Sequence, residues 1–262
     1  MGDKSHIKDR TLIVDSQHLT GQNANDLTVQ LDEELRDVIG VRLIYAGLPC
    51  TFHNISRELD NHYFSVNDGS GYKYVTLPDG FYDVASFSRE FQNQLEIGGF
   101  GKYGIAFDVQ ESSGRIEITF RKRSGKKLQF LVRDNIADLL GFNLRKGGRI
   151  ELPRTGSKVS LEVGDKPINF KPFQNILIHC DVTDNSSVLY NGKKSNVLVR
   201  VPVKKCDFGE TMVYYLTGLR DRECDQSFNK IRLWVTDEND KPIDFNGADI
   251  QYELLFRFQD FR

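Results

Sequence analysis

Residues 230–258 read KIRLWVTDENDKPIDFNGADIQYELLFRF, and this stretch decides the fold. In its second half apolar and polar side chains alternate. One face is formed by Ile250, Tyr252, Leu254, Phe256 and Phe258, and the other face is polar except for Leu255. A period of two is typical of a strand that packs on a core with one face and meets water with the other. Residues 231–235 alternate in the same way, and turn-forming residues lie between the two segments. The stretch therefore predicts a long hairpin, which needs a second sheet to cover its apolar face.

Length and composition exclude several classes of protein. A chain of 262 residues can bury the core of one large β unit or of two modules. The formal net charge of −2 gives no bulk signal for nucleic acid or for a membrane surface. No apolar run approaches the ~20 residues that cross a bilayer, and no signal peptide follows Met1. The cysteines are scattered without a C-x-x-C pair, so we expect reduced thiols in a protein made inside a cell, at Cys50, Cys180, Cys206 and Cys224.

Alternating segments at both ends of the chain predict eight strands. Three lie before residue 48, at 12–14, 27–31 and 38–47. Five follow residue 170, at 175–180, 197–201, 210–216, 230–236 and 249–258. Two four-stranded sheets of a jelly roll require this number. We therefore predict a mainly β protein built on an eight-stranded single jelly-roll sandwich.

The middle of the chain has a different pattern, in which strands alternate with two helices. One apolar stripe, formed by Val84, Phe87, Phe91 and Leu95, has helical spacing, and a second, shorter helix ends with Gly141 at its C′ position. A structureless excursion of this length is implausible inside a compact domain. We therefore predict an inserted β-rich (α+β) domain between the third and fourth strands, which divides the chain into 1–60, 61–170 and 171–262.

His179 and Cys180 are adjacent and suggest a base and a nucleophile. Neighbouring residues on a strand point to opposite faces, so the two side chains cannot form a hydrogen-bonded dyad. The pattern favours one residue in the core and one outside it. No paired carboxylates in a recognisable setting, no zinc-ligand spacing and no Gly-x-Ser-x-Gly motif occur elsewhere, so we predict neither an enzyme nor a cofactor.

The acidic segment 237–240, Asp-Glu-Asn-Asp, suggests calcium. An EF-hand loop needs Gly at its sixth position and Glu at its twelfth, and counting from Asp237 places Pro242 and Ala248 there. The pattern favours a solvated turn over a metal site.

The strongest run of charge lies between two predicted strands, with Ser-Gly at its centre. Its cations are Arg121, Lys122, Arg123, Lys126 and Lys127. The simplest interpretation is the exposed tip of a hairpin, and the alternative is a contact patch for a polyanion or an acidic partner.

Several segments resemble the penton (minor capsid) proteins of Polinton/Maverick-type elements, adintoviruses and virophages. In the predicted insertion these are LPDGFY at 77–82, before the first helix, and LLGF at 139–142. After the insertion they are NILIHCD at 175–181, SNVL at 195–198, FGE at 208–210 and TDENDKPIDF at 236–245. Their order and spacing extend the resemblance over roughly residues 10–258.

The resemblance implies a structural protein of the adenovirus-like capsid lineage. Five copies would close each five-fold vertex of an icosahedral capsid, with the insertion as an outward-facing upper domain. The implied partners are further copies of this chain, a double jelly-roll major capsid protein and a host receptor, with no specific nucleic acid and no membrane. The implied location is the virion, after synthesis in the host cell interior. The chain has no Arg-Gly-Asp motif, so integrin binding is not carried over.

A closed ring of five needs a heterologous interface, in which two different surfaces of the same chain meet. Either Tyr214 or Tyr215 must face outward, because neighbours on a strand alternate, and the outward one is available to such an interface.

Two alternatives to a capsid role remain open. A jelly roll can also be a carbohydrate- or receptor-binding module, which would need an exposed aromatic platform, whereas the one tryptophan, Trp234, lies within a predicted strand. A cupin-type enzyme would need clustered histidines, and the five histidines of this chain are scattered.

Overall fold

The structure is a computed structural model that describes residues 6–120, 128–132, 134–142, 149–152, 160–184, 187–188, 192 and 194–260. Its contacts divide the chain into two compact units. Unit 1 comprises Met1–Phe52 and Phe173–Arg262, and unit 2 comprises His53–Pro172.

The strands are β1 (His6–Asp15), β2 (Asp26–Pro49), β3 (Tyr63–Asn67), β4 (Tyr72–Thr76), β5 (Ile105–Val109), β6 (Arg115–Phe120), β7 (Leu128–Val132), β8 (Arg149–Leu152), β9 (Ser160–Pro167), β10 (Asn175–Cys180), β11 (Ser187–Val188), β12 (Lys194–Ser195), β13 (Val197–Pro202), β14 (Thr211–Tyr215), β15 (Arg222–Asp237) and β16 (Gln251–Asp260). The α-helices are α1 (Val84–Ile97) and α2 (Asp134–Leu139). Single 3-10 turns occupy Ser16–His18 and Gly101–Tyr103.

Unit 1 is built on a curled antiparallel sheet in which the two ends of the chain meet. The strand order is β1-β16-β2-β15-β10-β13, and β14 also pairs with β2. Residues 26–41 of β2 pair with β15, residues 38–47 pair with β16, and residues 45–49 pair with β14. We call β1, β16, β14 and the later part of β2 the first arm. The second arm is the beginning of β2 with β15, β10 and β13.

Two strand predictions need correction. Segments 27–31 and 38–47 belong to one strand, β2, so the described sheet has seven strands where the sequence predicted eight. The register of β2 against β15 shifts repeatedly around Leu35, and Asp37 takes a φ of 56°. Such bulges bend a strand and re-aim it without ending it.

The predicted hairpin is wrong in its pairing. The two segments of residues 230–258 are strands, but β2 lies between β15 and β16 in the sheet. Thirteen residues, 238–250, separate them, which is long enough to cross over an intervening strand. The predicted inward face is confirmed, because Tyr252, Leu254 and Phe256 are each at most 1% exposed.

The inner faces of the two arms meet. In the first arm, one buried row crosses four strands through Val14, Tyr252, Ala46 and Tyr214. The Tyr214 hydroxyl donates to the carbonyl of Pro202 on the second arm, at 2.7 Å. Since the inner faces are turned toward each other, the outer faces of the arms point in opposite directions.

Unit 2 has its own core of aromatic rings. It contains a four-stranded sheet in the order β4-β3-β7-β8, a three-stranded sheet in the order β5-β6-β9, and both α-helices. Asp83 and Ser86 form a capping box at the start of α1, and the predicted stripe is buried at Phe87, Phe91 and Leu95. The ring of Phe91 stacks on Phe64 at a centroid distance of 4.2 Å.

One pair of cysteines contradicts the expectation of reduced thiols. Cys50 and Cys206 form a disulfide within unit 1, while Cys180 and Cys224 are buried thiols. The loop that carries Cys206 lies against the end of β2, where the amide of Cys50 donates to the carbonyl of Glu210 at 2.7 Å. A separation of 156 residues hides this proximity from the sequence.

Buried tyrosines make stability sensitive to alkaline pH. Burial raises the pKa of Tyr103 and of Tyr214 to about 12, with the carboxylate of Asp68 adding to the effect at Tyr103, and burial also raises the pKa of Tyr252. In the unfolded chain a tyrosine ionises near pH 10. The stabilisation is therefore complete below about pH 10 and is lost as the pH rises toward 12.

We expect these tyrosines to ionise together with unfolding, at a higher pH than the exposed ones. Tyrosinate absorbance and circular dichroism, followed through one alkaline titration, measure both events. If all ten tyrosines ionised near pH 10 while the far-ultraviolet spectrum stayed folded, the expectation would be wrong.

Candidate assembly surface

The predicted basic patch cannot be placed. Arg121, Lys122, Arg123, Lys126 and Lys127 lie outside the residues that the structure describes. Their role as a partner-contact patch stays a prediction.

His179 and Cys180 do not form a dyad. The imidazole of His179 makes hydrogen bonds to Thr236 Oγ1, 2.8 Å from Nε2, and to Ser195 Oγ, 3.2 Å from Nδ1. Burial raises the pKa of the Cys180 thiol to about 12, so it stays protonated and weakly nucleophilic at neutral pH. The expectation that one of the two lies outside the core is wrong, since both are buried. The ring of Trp234 stacks on the imidazole at 4.9 Å and covers it.

The carboxylates of the acidic segment hold backbone amides. Asp237 Oδ1 accepts from the amides of Asn239 at 2.7 Å and of Lys241 at 2.9 Å, which closes the turn. Glu238 accepts from the amides of Gln174 and Asn175, both at 3.0 Å, where the chain enters β10. Within the described ranges, no three His, Cys, Asp or Glu side chains form a group that could hold a metal ion.

The outer face of the first arm carries a row of three apolar or aromatic side chains and one carboxylate. Directly opposed residues of four neighbouring strands form it, namely Ile13, Glu253, Tyr45 and Tyr215. Ile13 is 74% exposed and Tyr215 is 77% exposed, and the Tyr45 and Tyr215 rings lie 5.6 Å apart. Three strand spacings of about 4.8 Å make the row roughly 14 Å wide. We call these four residues the tyrosine row.

A shallow depression of about 240 Å³ adjoins this row, and its lining includes Asp15 and Gln251. The amide of Gln251 donates to Asp15 Oδ2 at 2.9 Å, whereas Glu253 forms no ion pair within the described part of the chain. This end of the face is therefore apolar with an excess of negative charge.

The other end of the same face is electrically balanced. Arg257 forms ion pairs with Asp9, at 3.2 Å, and with Asp221, whose carboxylate lies 3.7 Å from Arg42. Gly40 makes room for this network, because a Cβ there would lie 2.9 Å from the Cβ of Asp221.

The outer face of the second arm has the opposite character. Arg200 and Lys230 are exposed on it, and neither forms an ion pair among the described residues. Its carboxylate at Asp26 pairs with Arg232, which lies at 2.7 Å, lowers the pKa of the acid and stacks its guanidinium over Trp234. A second carboxylate, Asp181, is exposed beside this pair and accepts from the backbone amide of Arg232 at 2.9 Å. This face therefore combines a half-exposed indole with an excess of positive charge.

The sequence predicted one residue of the tyrosine row as one of two candidates, and it did not predict the others. Alternation left Tyr214 and Tyr215 as equal candidates, and the structure buries Tyr214 and exposes Tyr215. Ile13 and Tyr45 escaped notice because they join Tyr215 only through the pairing of distant strands. The one available signal was Ile13 itself, an apolar side chain in a strand whose neighbours Leu12 and Val14 already supply the core.

Unit 2 carries a separate aromatic cluster on its edge strand β4. Tyr74 is 73% exposed and makes an edge contact with Tyr63 at 5.7 Å, and Tyr72 is partly exposed on the same strand.

In the described part of the chain, no helix is long and apolar enough to span a bilayer.

Comparison with solved structures decides what fold this is. The crystal structure of the mavirus penton protein matches 97% of this chain and 99% of its own, with a TM-score of 0.54 and 12% sequence identity. This chain has a penton fold. The resemblance drawn from the sequence motifs is thereby confirmed, and the penton fold accounts for the curled β architecture of unit 1. No family model and no curated protein matches the chain.

Proposed function

We propose that this protein is a structural minor capsid (penton) protein that forms homopentamers at the five-fold vertices of an icosahedral capsid. The observation that carries the proposal is a likeness to the mavirus penton protein that extends over 97% of the chain and so includes both units. A likeness limited to the curled sheet would suit any jelly-roll protein, because that architecture serves many functions.

The proposal includes the surroundings of the protein. Its partners are further copies of the chain and a double jelly-roll major capsid protein, and its location is the virion after synthesis in the host cell. The insertion, residues 61–170, is the outward-facing domain. The protein works by assembly rather than by catalysis.

Purified protein is expected to form five-membered rings in negative-stain images. Light scattering is expected to give a mass of five chains of 30.0 kDa each. If the protein stayed monomeric at high concentration, both alone and with a double jelly-roll major capsid protein, the proposal would be wrong.

The carbohydrate- or receptor-binding alternative keeps one supporting observation. It needs an exposed aromatic platform, and Tyr74 with Tyr63 supplies one on unit 2. Tight and selective binding on a glycan array, lost on Tyr74→Ala, would favour this alternative.

A further inference from the structure

We propose that the tyrosine row of one copy docks on the outer face of the second arm of the next copy. The inference rests on the proposed pentamer and names the two surfaces that close it. Its occupant is a second copy of this chain, bound head to tail.

The two arms supply the two different surfaces that a ring needs. A cyclic pentamer needs two different surfaces on each subunit, one for each neighbour. The outer faces of the two arms point in opposite directions, since Tyr214 of the first arm bonds to Pro202 of the second across the interior. Each copy can therefore present one face to the preceding copy and the other to the following copy.

Charge complementarity selects a second copy as the occupant. Glu253 lies within the tyrosine row without an ion pair in the described chain, and Asp15 adds a second negative charge beside it. Arg200 and Lys230 supply the unpaired positive charges on the opposite face. Opposite potentials on the two faces favour the head-to-tail contact, whereas two tyrosine rows facing each other would bring like charges together.

The apolar side chains provide the anchors. Exposed Tyr and Ile side chains with few neighbours are costly in water, and aromatic residues dominate the binding energy of interfaces. Tyr215 and Tyr45, whose rings lie 5.6 Å apart, can pack against the half-exposed Trp234, over which Arg232 already lies. The contact would combine an aromatic centre with a charged margin, which is the usual anatomy of an interface.

The test compares the pentamer dissociation of five variants with that of the full-length wild type, by light scattering over a dilution series. Tyr215→Ala is expected to weaken each contact by roughly 30-fold, the usual effect of losing a central aromatic anchor. Tyr74→Ala is the matched control, because it removes an equally exposed tyrosine, 73% against 77%, from unit 2. Circular dichroism checks that each variant is folded.

Charge reversal provides the second part of the test. Glu253→Arg and Arg200→Glu are each expected to weaken the pentamer, roughly 10-fold, and the double variant is expected to regain most of the loss. Recovery in the double variant would show that the two side chains meet, which a mere loss of folding stability would not produce.

Three outcomes would overturn the inference, and they are distinguishable. A wild type that forms no pentamer removes both the proposed function and this interface. A pentamer that Tyr215→Ala and Glu253→Arg leave unchanged removes the interface alone. Selective glycan binding that is lost on Tyr215→Ala, with the pentamer intact, would assign the row to a sugar instead.

Discussion

Reducing the Cys50–Cys206 disulfide is expected to lower the free energy of unfolding of unit 1 by about 3–5 kcal/mol. The bond closes a loop with a sequence separation of 156 residues, and cross-linking so distant a pair removes much of the freedom of the unfolded chain. The closed loop contains all of unit 2. The bond joins the residue that follows β2 to the segment between β13 and β14.

Chemical denaturation with and without dithiothreitol measures this effect. The control is Cys50→Ala/Cys206→Ala, which should be destabilised from the start and should not respond to the reductant. Because Cys180 and Cys224 are present as thiols in both proteins, any effect of reductant on them cancels. Four alkylatable thiols in the denatured, unreduced wild type would contradict the bond itself.

Replacing Gly141 with alanine is expected to destabilise unit 2 by about 3–5 kcal/mol, as overpacking adds to backbone strain. Gly141 has a φ of +78°, and a Cβ there would lie 2.2 Å from the carbonyl oxygen of Lys166. The backbone of Lys166 lies this close because its amide donates to the carbonyl oxygen of Gly141 at 2.9 Å. Relieving the clash would pull β9 away from the end of α2.

Gly99→Ala is the matched control for this substitution. Gly99 also follows a helix of unit 2 and has a φ of +80°, but nothing lies within 4 Å of its virtual Cβ. Gly99→Ala should lower the free energy of unfolding of unit 2 only by the backbone strain, about 1–2 kcal/mol. Equal losses for the two variants in thermal or urea unfolding would show that the contact with Lys166 is unimportant.

These predictions differ in how far the sequence anticipated them. Gly141 was expected at the C′ position of a short helix, since a glycine after an apolar helical stripe is a local signal. The approach of Lys166 was not expected, because 25 residues separate it from Gly141. The disulfide was missed for the same reason.

Pairing partners were the main error in the fold. Alternation showed correctly that Tyr252, Leu254 and Phe256 of β16 face the core, because side-chain direction depends only on the strand period. It could not show that β2 lies between β15 and β16, nor that Asp37 lets one strand serve both arms. Those features depend on contacts between residues far apart in the chain.

The sequence by itself determined the β class, the inward face of β16, the two helices in the middle of the chain and a resemblance that the mavirus penton structure bears out. Only the tertiary structure decided the surface. Ile13, Tyr45 and Tyr215 become one row through three strand pairings. Local propensity is encoded by neighbours a few residues apart, whereas a surface is set by which distant segments fold side by side.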